Sequence, residues 1–466
     1  MGRLRLGAIT AVTLTAIAGP VAAAEITRVA TRGEPGNPFD LHLSVAWERT
    51  QQRAQITREV PAGGGAGDPG GIVDGDEMRY SRTVNAIVAR AAIGLTEDLD
   101  IHFEMPWVLG DERSWRFGTR GGAPTGGVPP FSSIELNAID AQGQTCADQN
   151  AGLAGTLCAL FPVAPSTTVY HGGKAGDLKV GVDWGIFSDK KDSTKPYWLV
   201  GVDVTFPTAA LYDPAADRGS DWSSPYNVAG NPGPFGEKVW KWDFHTVLSR
   251  RLGPVDPYVK AHATFMTKSS STYSNCEHAA QLAVVTATNP VKQMTDAAAA
   301  NCLDEKAAKD AEAQLPWIAG LTFGSELVPY ESEAEGQKVS IDLRVFADYT
   351  SSARFYNELT DASGRLHKTD EYLTVGGFFG LYLRASRYVS LHATASLSTK
   401  TSHLLTGESL GRKGSWPALD PSGNGLTANP ADMNPNFDWR YDAPGRRFRL
   451  SEVALFELTF GGLLQF

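Results

Sequence analysis

The chain has little of what marks the commoner fates of a 466-residue protein. Past its first two dozen residues it holds no run of about 18 apolar residues, so any passage through a membrane has to be made by strands and not by helices. Basic residues are outnumbered, 42 against 52, for a formal net charge of -10. That sign repels phosphate backbones, and no nucleic acid partner is expected. Only four cysteines occur, without Cys-x-x-Cys spacing or a histidine placed to join them in a metal site. His-x-His and His-Glu-x-x-His motifs are both missing. The stretch Gly63–Gly71 lacks the Gly-Lys-Ser/Thr ending of a phosphate cradle and reads as a surface loop. No cofactor, no metal and no catalytic residues are expected.

What is present begins with an export signal. Arg3 and Arg5 precede an apolar run from Gly7 to Ala18, a Gly19-Pro20 break and the small residues Ala22-Ala23-Ala24, so cleavage is expected before Glu25. The apolar run is too short to cross ~30 Å of hydrocarbon as a helix. Export leads to an oxidising compartment, where Cys146 would pair with Cys158 and Cys276 with Cys302, each pair inside one polar stretch.

The dominant pattern downstream is alternation at period two, in which successive side chains point to opposite faces of a strand. Phe39, Leu41, Leu43, Val45 and Trp47 interleave with Asp40, His42, Ser44 and Glu48; Leu99, Ile101, Phe103, Met105 and Trp107 interleave with Asp100, His102 and Glu104. Such segments begin near residues 39, 78, 99, 175, 195, 239, 255, 315, 337, 368, 388 and 448. One face is greasy and the other wet. Tryptophans 47, 107, 184, 198, 240, 242 and 317 all share the greasy parity, as the aromatic girdle of a membrane barrel requires.

Connection lengths separate this barrel from a soluble sandwich, which also alternates. Every second connection is short: Thr96 to Asp98, Ser188 to Lys195, Arg250 to Asp256, Glu331 to Lys338 and Ala385 to Arg387. Those between are long and polar: Pro61 to Glu77, Gly118 to Lys174, Ala209 to Lys238, Ser269 to Gln314 and Gly407 to Arg447, with the modest Asp361 to His367 as the exception. The fold expected is all-β: a single transmembrane antiparallel β-barrel of about 12 strands with short periplasmic turns and long extracellular loops. Residues 1–24 form the signal peptide, 25–38 a periplasmic N-terminal segment and 39–466 the barrel, with a short helix expected from Ala297 to Ala313.

The last segment, FRLSEVALFELTFGGLLQF, puts Phe448, Leu450, Phe456, Leu458, Phe460, Leu464 and the terminal Phe466 on one face. It resembles the terminal insertion signal of bacterial outer-membrane barrels, which implies the barrel-insertion machinery as a partner. A looser resemblance is carried by AIGLTEDLDIHFEMPW (Ala92–Trp107), GDLKVGVDWGI (Gly176–Ile186) and YWLVGVDVTFPT (Tyr197–Thr208). These are similar to a family of outer-membrane transporters that includes the MetA pathway of phenol degradation. The long cysteine-bearing loops depart from that pattern. The resemblance implies an uptake channel for small apolar or aromatic molecules.

If the apolar parity faces lipid, the polar parity lines the lumen. Its charged members are Asp40, His42, Glu48, Asp100, His102, Glu104, Asp177, Lys179, Asp183, Asp203, Lys241, Asp243, His245, Lys260, His262, Glu326, Asp342, Arg344, Asp348 and Glu457. Acids outnumber bases there, which would disfavour anions and admit neutral or cationic solutes, unless the charges pair among themselves and plug the barrel. The function expected is a porin-like outer-membrane channel for passive passage of small-molecule solutes. The alternative is a closed barrel whose extracellular loops bind a surface partner or which carries a hydrolytic site.

Overall fold

The computed structural model describes residues 24–27, 29–30, 40–61, 72–117, 166–187, 195–214, 230–278, 302, 312–332, 334–411, 434–437, 442 and 444–466. Twelve strands run antiparallel, each beside its successor in the chain: β1 (Leu41–Pro61), β2 (Ile72–Gly94), β3 (Leu99–Phe117), β4 (Leu178–Phe187), β5 (Tyr197–Phe206) and β6 (Val239–Ser249). They continue as β7 (Val255–Lys268), β8 (Ile318–Ser332), β9 (Gln337–Thr350), β10 (Tyr372–Arg384), β11 (Val389–Lys400) and β12 (Phe448–Gln465). β12 returns to β1, with Leu464 opposite Leu43 and Phe460 opposite Trp47, so the sheet closes. Closure leaves no free edge within the hydrocarbon, where an unpaired backbone group would cost several kcal/mol.

Burial is inside out relative to a soluble protein. Val45, Trp107, Trp184, Phe323, Val345 and Leu397 are exposed, while Asp100, His102, Glu326, Ser340 and Asp342 are buried. A single-layer cylinder with apolar side chains outward is covered by lipid. Val345, near the middle of β9 and 61% exposed, tests that covering. Val345→Arg is expected to destabilise the folded barrel by about 2–4 kcal/mol in bilayers, read from a denaturant titration, because arginine at mid-depth meets hydrocarbon. A neutral result would place this face in water.

Among the described residues, register shifts interrupt the ladders at five points, and two of them have consequences for the interior. On β3, Asn85 of β2 faces Gly110 but Ala86 faces Val108, so Leu109 is extra and the parity reverses. Asp111, Arg113 and Trp115 beyond it therefore point inward and are buried. On β12, Glu452 adopts φ 50° and the pairing with β1 shifts between Arg53 and Gln55. Phe448 and Leu450 thus face in, at 0% exposure, while Phe456, Phe460 and Leu464 face out. The expectation that all these residues share one face is corrected.

Of the expected disulfides, Cys276–Cys302 is formed, whereas Cys146 and Cys158 lie outside the described residues. So does most of the helix expected from Ala297 to Ala313; its end, Glu312, bridges to Ser274 instead.

Candidate functional site

The upper half of the interior is occupied by the connection between β9 and β10, the one that looked unremarkable from its length. Ala353–Phe355 pairs with His367–Thr369, and between them Thr360–Ser363 makes one helical turn ended by Gly364 at φ 72°. The left-handed conformation there suits glycine, which has no Cβ to clash. This hairpin crosses the lumen. It leaves the ninth and tenth strands, yet its partners lie on the first and third: Gln52 Nε2 donates to Glu358 Oε1 at 2.8 Å, Trp115 Nε1 to the Glu358 carbonyl at 2.9 Å, and Arg113 Nη1 to Asp361 Oδ2 at 2.7 Å. Leu359 and Ala362 pack among Ile56, Met78, Tyr80, Trp115, Leu405, Phe448 and Leu450, so the inner face is wet only in its lower part. From above, Asn275 exchanges two hydrogen bonds with the Leu366 backbone, and Arg354 forms a buried ion pair with Glu408.

Two carboxylates fasten the hairpin. Burial opposes ionisation of Asp361, but the Arg113 guanidinium, His171 and a hydrogen bond from Tyr212 outweigh it and hold the carboxyl well below its usual range. Burial also opposes charge on Glu358, yet Lys400 at 3.3 Å and the Gln52 amide bring its pKa down to about 2. Both folded-state values are depressed. Their contribution is therefore complete above the ordinary carboxylate pKa of about 4 and is lost as pH falls toward about 2. Single-channel conductance is expected to rise across that window as the hairpin loosens; a flat profile would show that these pairs do not hold it.

Beside the hairpin lies a cavity of ≈300 Å³ walled by Tyr80, Tyr212, Phe235, Phe355, Tyr356 and Tyr372, with Arg82, Glu237 and Lys400 among its polar groups. Arg82 is committed to Asp111 by two hydrogen bonds of 2.8 Å. The opposite end of the barrel holds Ala24–Thr27, Val29 and Ala30. Ala24, Ile26 and Val29 pack on Tyr197, Leu199, Val247 and Tyr258, the inward residues at the lower ends of β5 to β7. The Glu25 amide donates to the buried Glu326, and the Ala30 amide to Asp100 at 2.9 Å. A second cavity, ≈190 Å³, lies above this segment between His42, Arg90, Asp100, Lys338, Arg384 and His392.

Asp40, His42, Asp100, His102, Asp183, Glu326 and Asp342 are buried within the barrel. Glu48, Glu104, Asp177, Lys179, Asp203, Lys241, Asp243, His245, Lys260, His262, Arg344 and Asp348 are half-buried, and Glu457 is exposed while accepting from Ser396 at 3.0 Å. Pairing among them is extensive: Asp40 with His42 at 3.1 Å, Glu104 with Lys179 at 2.8 Å, Glu326 with Lys338 at 2.7 Å, and Asp342 with both Arg344 and Tyr258. Asp177 instead accepts from the Ala209 amide, and Lys241 pairs with Glu237. The terminal Phe466 exchanges backbone hydrogen bonds with Leu41 at the seam.

Residues that period-two reasoning missed are those of the occluding parts: Arg113, Trp115, Leu359, Asp361, His171 and Tyr212. The signal for the first two was a tryptophan and a charge standing on the apolar parity of β3 close to Leu109.

A closed twelve-strand antiparallel barrel with an apolar outer belt and a polar, occluded interior defines an outer-membrane β-barrel. No family model and no curated protein matches the chain. Among solved structures it resembles the COG4313 outer membrane channel from Pseudomonas putida F1, at 10% identity and TM-score 0.38 over 93% of this chain and 100% of that one. It also resembles the Pseudomonas putida toluene transporter TodX, at 8% identity and TM-score 0.28 over 91% and 89% of the two chains. A third likeness is to the outer membrane protease OmpT of Escherichia coli, at 6% identity and TM-score 0.26 over 92% and 97%. Likenesses this distant, to a channel, a transporter and a protease, carry no argument about activity.

Proposed function

We propose that the protein is a gated outer-membrane channel for passive passage of small molecules, with small aromatic or apolar compounds as the favoured solutes. The observation that supports this best is the aromatic-walled cavity of ≈300 Å³ beside the hairpin. Apolar walls with a few placed polar groups are the usual make-up of small-ligand sites. A solute entering from outside would meet this cavity first and the half-buried charges of the lower lumen next. In this reading residues 1–24 are removed on export, residues 25–38 stay at the periplasmic mouth, and no residue is catalytic. The aromatic Phe466 serves the insertion machinery.

The second reading, a sealed barrel whose loops bind a surface partner, is favoured by one observation: both ends of the lumen are filled. Planar-bilayer recording of the purified protein separates the two. The channel reading expects discrete current steps, and it expects liposomes carrying the protein to admit phenol-sized aromatic solutes faster than sugars of similar mass. A silent bilayer with impermeable liposomes would leave the sealed barrel.

A further inference from the structure

We propose that the inner wall of β3 to β6 is a binding site for one divalent transition-metal ion of the zinc, nickel or cobalt kind, held by His102 with Asp100 and Asp183 or by His245 with Asp203 and Asp243. The proposal does not depend on whether the lumen conducts. Asp183 on β4 reaches both imidazoles: its Oδ1 lies 2.9 Å from His245 Nε2 and its Oδ2 3.6 Å from His102 Nδ1. Three further carboxylates surround the pair. Asp100 is 3.4 Å from His102 Nδ1, Asp203 is 2.7 Å from His102 Nε2, and Asp243 is 3.5 Å from His245 Nδ1. Within each of two trios, Asp100–His102–Asp183 and Asp203–Asp243–His245, one ligand atom per residue lies within 4.8 Å of the others. Ligands held at about 2.0–2.2 Å in a tetrahedron stand roughly 3.4 Å apart. Side-chain rotation alone can therefore close either trio on an ion.

A cluster of charges on a barrel wall is ordinarily only an ion-pair network, but two features mark this one as built for a ligand. The first is what faces it. Gly181 on β4 and Gly201 on β5 are bare where the side chains converge: a Cβ at Gly181 would stand 1.9 Å from Asp203 Oδ1 and 2.2 Å from His102 Nε2. One at Gly201 would stand 2.1 Å from Asp183 Oδ1 and 2.3 Å from His245 Nε2. Each histidine thus reaches an aspartate two strands away across a glycine, an approach any other residue would block. The second feature is His245 Nδ1, a buried ring nitrogen that makes no hydrogen bond, on a side chain 10% exposed. It points toward Asp243, whose Oδ2 accepts from Thr264 at 2.6 Å and whose Oδ1, 3.5 Å from the ring nitrogen, leaves room for a cation to join the two.

The donor set selects the ion. Imidazole with carboxylate and no thiolate suits borderline divalent metals, whereas magnesium and calcium prefer oxygen alone. Among the described residues, Arg90, at 4.0 Å from Asp183, is the only lysine or arginine within ion-pair distance of these four carboxylates, with Lys179 and Lys260 acting on them from further off. Asp100 and Arg90 also line the ≈190 Å³ cavity, which gives an ion an approach from the lumen.

The test uses the full-length barrel without a histidine tag, folded in detergent and stripped with chelator. Calorimetry with zinc chloride is expected to show saturable binding of one equivalent per chain, with no matching signal for magnesium. The double substitution His102→Ala/His245→Ala should weaken zinc affinity by about 100-fold or more, provided the unboiled protein keeps its heat-sensitive gel migration. Should that variant fail to fold, cobalt added to the unaltered protein gives an independent answer in its visible spectrum. A spectrum of nitrogen- and oxygen-bound cobalt supports the site. No saturable zinc binding, binding that survives loss of both histidines, or the spectrum of hydrated cobalt would each overturn it and leave a hydrogen-bonded wall only.

Discussion

Excision of the hairpin, replacing Ser351–Glu371 by a short Gly-Ser turn, is expected to raise single-channel conductance several-fold without unfolding the barrel. The geometry permits the cut, because the β9–β10 ladder ends with Thr350 directly opposite Tyr372 and a tight turn can join them. All thirteen residue pairs of that ladder, from Lys338–Arg384 upward, remain. What is lost is the crossing segment itself and its hold on Gln52, Arg113, Trp115 and Lys400. Arg113 would keep Asp111 as a partner, whereas Glu408 would lose Arg354 and Lys400 would lose Glu358, so Glu408→Gln and Lys400→Gln accompany the excision and no buried charge is stranded. Unchanged conductance in a barrel that still shows heat-sensitive migration would mean the restriction lies elsewhere, with the Glu25–Ala30 segment next to be removed.

Trp115→Ala carries the largest expected energetic effect of a single substitution. Trp115 is 1% exposed, packs tilted against Tyr80 with ring centroids 5.5 Å apart and donates to the Glu358 carbonyl. Truncating a buried tryptophan costs about 3–5 kcal/mol through lost burial and the cavity left behind. The strands are tied by continuous ladders and the hairpin only by its side chains, so the cost should fall on the hairpin as local opening. Amide exchange at Leu359–Ser363 is the measurement: acceleration of about a hundredfold or more is expected, with strand amides little changed. Uniform acceleration across the barrel would instead make Trp115 a prop of the whole fold.

The strands could be read from the sequence because a lipid-facing sheet writes its exposure into every second residue. Segment starts near 39, 99, 239, 255, 337 and 388 became Leu41, Leu99, Val239, Val255, Gln337 and Val389. The interior could not be read the same way. Alternation says which face a residue takes and nothing of what lies opposite it across the lumen, so the partnership of Asp361 with Arg113, 248 positions earlier, leaves no local trace. Loop length misled for a related reason: Ser351–Glu371 contains its own small pairs, which resemble strand ends in the sequence, and the connection was counted from Asp361 to His367 only. Bulges hid the rest. One inserted residue at Leu109 moves Trp115 from the lipid side to the centre, and a pattern search that assumes unbroken alternation assigns it wrongly. Of the candidate site, the histidines and aspartates were visible as a list, but their convergence over Gly181 and Gly201 needed the register of four strands.

The seam between β1 and β12 also shapes how the molecule is made. Leu41 bonds to Phe466 through both backbone groups, so the outer edge of β1 is satisfied only once β12 is in place. Any shortened product lacking the final strand would present two open rows of amides and carbonyls at once, a template for pairing with other chains. Assembly is therefore all-or-none with respect to translation, and a contact of such high sequence separation makes slow maturation the natural expectation.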